Sequence, residues 1–257
     1  MMRNTVLAIA VAAAVAVPGL ARAQATSPHT VAGNMSIVSD YRFRGISQTF
    51  GQPGIQGGID YSHAGGFYLG NWNSNVSGLS YADGTIEMDF YGGYKFNAGP
   101  VGMDVGLLQY YYPNAKIADS TKYDTLEAYV GVSWKWLSAK YSITTGDYFG
   151  ANATTSASCT GADSKGSGYL DVSATYEIMP KLTLVGHYGN QTIKDCKPLE
   201  YSDYKIGVNY DMNGWVLGAA YIDTDANAAL YTLSNTAASK TKDLGKGTVV
   251  LSVSKSF

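Results

Sequence analysis

The sequence predicts an antiparallel up-and-down β-barrel that crosses a membrane with about twelve strands. Three observations lead there. Apolar and polar residues alternate strictly over segments of a dozen residues, short turns and long polar loops alternate between those segments, and aromatic residues on the apolar face gather at the strand ends. Composition agrees: 30 Gly, 21 Tyr and only 15% charged residues among 257 fit an all-β chain with too little charge for disorder. The basic residues (18 Lys and Arg against 20 Asp and Glu) form no run, which excludes a nucleic-acid binder. The longest apolar run, 6–17, is far short of the roughly 20 residues of a membrane helix.

The first element is a targeting segment. Arg3 opens it, the apolar run follows, Pro18-Gly19 breaks it, and Ala21-Arg22-Ala23 supplies an A-x-A cleavage site. Cleavage after Ala23 is expected, leaving an exported chain, 24–257, that forms one domain. No lipobox-type cysteine follows the apolar run, so a lipid anchor is not expected.

The strands follow in order. Over 85–96 one face reads Ile86, Met88, Phe90, Gly92, Tyr94, Phe96, and the other Thr85, Glu87, Asp89, Tyr91, Gly93, Lys95. Over 125–136 the apolar face reads Leu126, Ala128, Val130, Val132, Trp134, Trp136. A period of two sustained this long is a strand and not a helix face, and its length suits a tilted bilayer crossing. By the same reading, strands are expected near 31–45, 54–63, 67–76, 84–96, 101–112, 125–137, 139–149, 168–178, 182–190, 203–211, 215–224 and 248–257. Their connections are short at 64–66, 97–100, 138, 179–181 and 212–214, and long at 46–53, 77–83, 113–124, 150–167, 191–202 and 225–247. Short periplasmic turns opposite long extracellular loops are the pattern of outer-membrane barrels.

Alternation alone does not say which face is outside, since a soluble sandwich would bury its apolar face. The height of the aromatics decides for lipid. Tyr61, Phe67, Tyr94, Phe96, Trp134, Trp136, Tyr141, Tyr210, Trp215 and Phe257 fall at the short-turn ends. Tyr41, Phe43, Tyr111, Tyr204 and Tyr221 fall at the long-loop ends, with small aliphatics between the two groups. Two aromatic belts around an aliphatic band match the two interfaces of a bilayer. Backbone groups in lipid need internal partners, so the sheet must close. The last strand ends on Phe257, which resembles the terminal signal read by the barrel-insertion machinery, although Lys255 interrupts its apolar face.

The run Ser39-Asp40-Tyr41-Arg42-Phe43-Arg44-Gly45-Ile46-Ser47-Gln48-Thr49 resembles the opening motif of the TorF-like porins, a Gram-negative family long catalogued as conserved hypothetical proteins. Pro53, Ile55-Gln56-Gly57-Gly58-Ile59-Asp60-Tyr61-Ser62-His63, Gly66-Phe67-Tyr68-Leu69-Gly70-Asn71-Trp72, Ser74-Asn75-Val76 and Glu87-x-Asp89-x-Tyr91-x-Gly93 extend the likeness over the first third of the mature chain. The resemblance implies an outer-membrane barrel with a pore function.

With the apolar face toward lipid, the other face lines the lumen. The first strand then places Arg42 and Arg44 on the wall in its outer half, with Glu87, Asp89, Glu127 and Asp171 at similar heights and Lys205 beside them. Cationic and anionic groups facing each other across a narrow bore would orient dipolar solutes. The same residues could instead form interior ion pairs that fill the lumen and hold the wall together. Twelve strands lie between the filled eight-stranded barrel and the wide channels of sixteen, so a passage would suit ions or small polar solutes. Mixed charge argues against a strong preference for either sign.

Cys159 and Cys196, the two cysteines of the chain, fall in neighbouring long loops, and an exported chain favours their disulfide. No metal site or cofactor is expected, since none of His29, His63 and His187 adjoins a cysteine. An enzyme would need a nucleophile beside a histidine base. His187 is the best base, but it reads as an ordinary lumen residue, so no catalysis is assigned. A third reading closes the lumen and gives the work to the loops 150–167 and 225–247, as a structural or surface-binding barrel.

Overall fold

The computed structural model describes residues 27–117 and 121–257. The leader and cleavage site expected over 1–23 lie outside the described residues. Twelve strands pair antiparallel into one closed barrel. In chain order the wall consists of β1 (His29–Val38), β4 (Gly54–His63), β5 (Phe67–Asn75), β6 (Ile86–Ala98), β7 (Val101–Tyr111), β8 (Thr125–Trp134), β9 (Leu137–Thr144), β10 (Gly168–Met179), β11 (Leu182–Thr192), β12 (Tyr201–Met212), β13 (Trp215–Thr224) and β16 (Thr248–Ser256). Each pairs with its neighbour in sequence, and β16 closes on β1 through Ile37 opposite Val253 and Asn34 opposite Ser256. Two small hairpins stand apart from the wall. One joins β2 (Arg42–Phe43) and β3 (Ile46–Ser47), and the other joins β14 (Thr232–Asn235) and β15 (Lys240–Asp243).

Tight turns close the short-turn end. Asn213 and Gly214 both take left-handed backbone (φ 55° and 89°), the two-residue turn whose twist matches that of the strands it joins. Between β8 and β9 the turn falls at Lys135-Trp136, with Lys135 at φ 55°. Ser138, expected as the connection, is instead a strand residue paired with Ser133.

The alternation sorts the faces as lipid would require. Val130 is 45% exposed and Ile206 62%, whereas Glu87 is 0% exposed. Phe67, Tyr94, Phe96, Trp134, Trp136 and Trp215 stand outward near the turns, and Tyr111, Tyr204 and Tyr221 near the long loops. In water this continuous apolar belt would be far larger than a soluble monomer tolerates; in a bilayer it is the solvated surface.

The first strand corrects the sequence reading. It ends at Val38, not near residue 45, and the chain then leaves the wall and folds into the barrel mouth. Tyr41 and Phe43, expected in the outer aromatic belt, therefore face inward: Tyr41 packs edge-on to Trp72 (5.4 Å between ring centres), and Phe43 does the same to Tyr110 (5.4 Å). Arg42 and Arg44 leave the wall with them.

Candidate functional site

The inward segment 39–53 is built around its own charges. Arg42 Nε donates to Asp40 (2.7 Å), and Arg42 Nη1 donates to the carbonyls of Gly45 (2.9 Å), Leu244 (2.9 Å) and Lys246 (3.1 Å). Asp40 also accepts from the hydroxyls of Ser47 (2.6 Å) and Thr49 (3.1 Å). Arg42 thus braces the β2–β3 hairpin and joins it to the loop after β13; it does not meet a wall carboxylate. Arg44 and Gly45, at φ 47° and 81°, form the hairpin tip.

From that tip Arg44 crosses the bore. Its Nη2 donates to both oxygens of Glu127 on β8 (2.8 and 2.7 Å), and its Nη1 donates to Gln191 Oε1 on β11 (2.7 Å). The guanidinium lies 4.1 Å over the Tyr169 ring of β10 and 4.7 Å over Phe43. Both residues of the ion pair are buried. Charge pairing, hydrogen bonding and stacking together seat the hairpin against the far side of the barrel.

Of the remaining expected lumen residues, Glu87 and Asp89 lie on β6 and are buried. Asp171 on β10 and Lys205 on β12 are half-buried and stand in the more open part of the bore. Arg44 and Glu127 are therefore brought together, whereas Arg42, Asp171 and Lys205 are not drawn into that cluster.

A second network surrounds His187 on β11. Its Nε2 lies 2.9 Å from Asp203 Oδ1, and its Nδ1 lies 3.1 Å from Ser173 Oγ and 3.4 Å from Asp171 Oδ1. Tyr169 adds its hydroxyl to Asp203 at 2.8 Å. Ser173, His187 and Asp203 share the residue types of a hydrolase triad. Yet the Ser173 hydroxyl also has Asp171 at 2.7 Å, and the imidazole faces a carboxylate at each nitrogen. Such an arrangement rivets three strands together.

The family model described as a bacterial protein of unknown function (Gcw_chp) matches residues 22–257. The chain belongs to the Gcw_chp family. No curated protein sequence matches it. Among solved structures, this Gcw_chp chain is similar to the NanC porin (TM-score 0.52, 10% identity, covering 89% of this chain and 99% of that one). It is also similar to the KdgM porin (TM-score 0.51, 9% identity, covering 88% and 98%). A further KdgM structure, in complex with disordered oligogalacturonate, matches with a TM-score of 0.51 at 8% identity over the same shares. At these identities the likeness is one of fold.

The bore of the Gcw_chp chain also holds residues that the sequence did not single out as site residues. Lys140 on β9 sits directly across from Asp171, and its ammonium lies 5.3 Å over the Tyr129 ring. Tyr68 donates to Asp104 (2.7 Å) and is hydrogen-bonded to Tyr129, while Tyr91 donates to Asp60 (2.5 Å). Many tyrosines thus line the bore, and glycines make room for them: a Cβ at Gly106 would strike the Tyr129 ring, and one at Gly189 the Tyr169 ring. The parity of alternation already set Tyr91 beside Glu87 and Asp89 and Tyr129 beside Glu127, and it could have found Asp203, two residues from Lys205 on the same strand face.

Proposed function

We propose that this protein is an outer-membrane diffusion channel of the TorF-like porin type, exported with a cleaved leader. Its bore passes ions or small polar solutes, and its first loop narrows the mouth. One observation carries this reading. The constriction is made by a hairpin held through side-chain contacts, whereas the wall itself encloses a half-buried, hydrophilic bore that includes Lys140, Asp171, His187 and Lys205. Asp171 and His187 brace the wall, but Lys140 and Lys205 form no direct ion pair among the described residues and so leave charge facing the bore. The porin-like fold of NanC and KdgM supports the same reading. Lysines and carboxylates alternate here, so the acidic carbohydrate bound by KdgM is not carried over; small solutes of either sign fit better. The surrounding lipid and the insertion machinery at Phe257 complete the expected partners.

A second reading has its own support. Glu127, Ser47 and Gln191 are at most 1% exposed, so the bore at the hairpin's level is dry in this conformation. A barrel permanently closed there would act through its loops. Liposome swelling with solutes graded by size and charge, paired with planar-bilayer recording, tests the proposal. Size-limited swelling and stepwise current are expected; their absence in correctly folded protein would leave the loop-centred reading.

A further inference from the structure

Glu87 and Asp89 are the second and fourth residues of β6, so both point into the bore. Glu87 is completely buried, and neither of its carboxylate oxygens has a hydrogen bond of proper geometry; nor does Asp89 Oδ1. Tyr41 and Tyr112 turn their hydroxyls toward the Glu87 carboxylate without completing such a bond. The arginines of the inward segment cannot neutralise the pair, since Arg42 is committed to Asp40 and Arg44 to Glu127. Two carboxylates on one strand face, out of water and without a counter-charge, are an arrangement that proteins avoid unless something else completes it.

The surroundings define what could complete it. They are oxygen-rich: the Tyr41 and Tyr112 hydroxyls, Ser74 opposite Glu87 across the β5–β6 ladder, and Tyr81, whose hydroxyl meets Gln48 Oε1 at 2.5 Å and accepts from Tyr112 at 3.3 Å. No imidazole or thiolate is among the groups named around Glu87 and Asp89, and the two cysteines of the chain are joined in a disulfide elsewhere, which disfavours the softer transition metals. An all-oxygen shell around two uncompensated negative charges suits one hard divalent cation. Calcium accepts irregular shells of carboxylate and neutral oxygens, whereas magnesium demands near-octahedral geometry and retains its waters, which a dry site excludes.

We propose that Glu87 and Asp89 bind Ca²⁺, and that the ion pins the Tyr41 edge of the inward segment to β6. Binding and stability can be read whether or not the barrel conducts, so the test uses those two readouts alone. Full-length mature protein, folded in detergent micelles and stripped with EDTA, is titrated with Tb³⁺ as a luminescent calcium probe. Trp72, opposite Asp89 across the ladder, and the adjoining tyrosines serve as sensitisers. Sensitised emission displaced by CaCl2 is expected, together with a Tm raised by CaCl2 more than by equal MgCl2. Glu87→Gln, and separately Asp89→Asn should the first fail to fold, are expected to weaken Ca²⁺ binding at least tenfold and abolish the Tm shift. Asp163→Asn, in an exposed loop, should leave both unchanged. Equal Ca²⁺ binding in Glu87→Gln and the parent chain would overturn the proposal. So would a Tm indifferent to CaCl2, which would mean that protons neutralise the pair.

Discussion

Arg44 donates from one guanidinium nitrogen to both carboxylate oxygens of Glu127, 83 positions further along the chain and on a strand across the barrel from the one that delivers it. The pair is buried, so it is weak evidence for net stability but strong evidence for position: removing either partner strands a charge in a dry interior. That makes it the latch of the inward hairpin.

Glu127→Gln and Arg44→Ala should each cost about 3–5 kcal/mol of stability in the seated state, as truncation of a buried ion pair does. The hairpin then loses its hold on β8, and single-channel conductance is expected to rise several-fold. Bilayer recording checks this. Unchanged conductance in both variants would show that the hairpin does not set the narrowest point.

Charge selectivity should follow the open part of the bore. Neither Lys140 nor Lys205 forms a direct ion pair among the described residues, so Lys140→Glu with Lys205→Glu should move the reversal potential toward cation preference. Arg42→Glu should instead disrupt the hairpin's bracing without that signature, because its guanidinium is buried against Asp40 and backbone carbonyls. A selectivity shift from Arg42→Glu equal to that of the lysine pair would contradict this division.

The Cys159–Cys196 disulfide ties the loop after β9 to the loop after β11, with Ile193 buried between them. For a sequence separation of 37, the loop-entropy model gives about 4 kcal/mol. Cys159→Ser with Cys196→Ser should therefore free the 150–167 loop, read as faster proteolytic nicking there while the barrel wall stays resistant. Nicking at the parent rate would mean that packing alone holds the loops.

Val130 sits mid-strand on the outward face of β8. Val130→Arg should destabilise the barrel in bilayers by about 2–4 kcal/mol, the cost of a basic residue near the midplane. Reversible unfolding from liposomes measures it, and a neutral result would place this surface outside the hydrocarbon.

The terminal residue closes the seam. Gly33 donates its N–H to the Phe257 carbonyl (2.8 Å), Phe257 returns the bond to Gly33 (3.0 Å), and the Phe257 ring covers Gly33. Deleting Phe257 should lower the fraction of chain that reaches the heat-modifiable, folded form in membranes. Wild-type assembly without it would remove the terminal signal from the account.

The wall was legible in the residues because facing is a local property of a strand. Glu87 and Phe90 point opposite ways wherever β6 lies, and long loops alternating with short turns order twelve neighbours without knowledge of any contact. The same parity placed Glu127, Asp171 and Lys205 in the lumen. The fate of residues 39–53 could not be read this way. Their alternation continues that of β1, so sequence alone extends the strand through Arg42 and Arg44. What bends the segment inward is a set of partners remote in the chain: Glu127, Gln191 and the Leu244 carbonyl, 83, 147 and 202 positions from the arginines that meet them. Only closure of the barrel gathers those groups around one point, and there the desolvated charges find partners that an extended strand would not have offered.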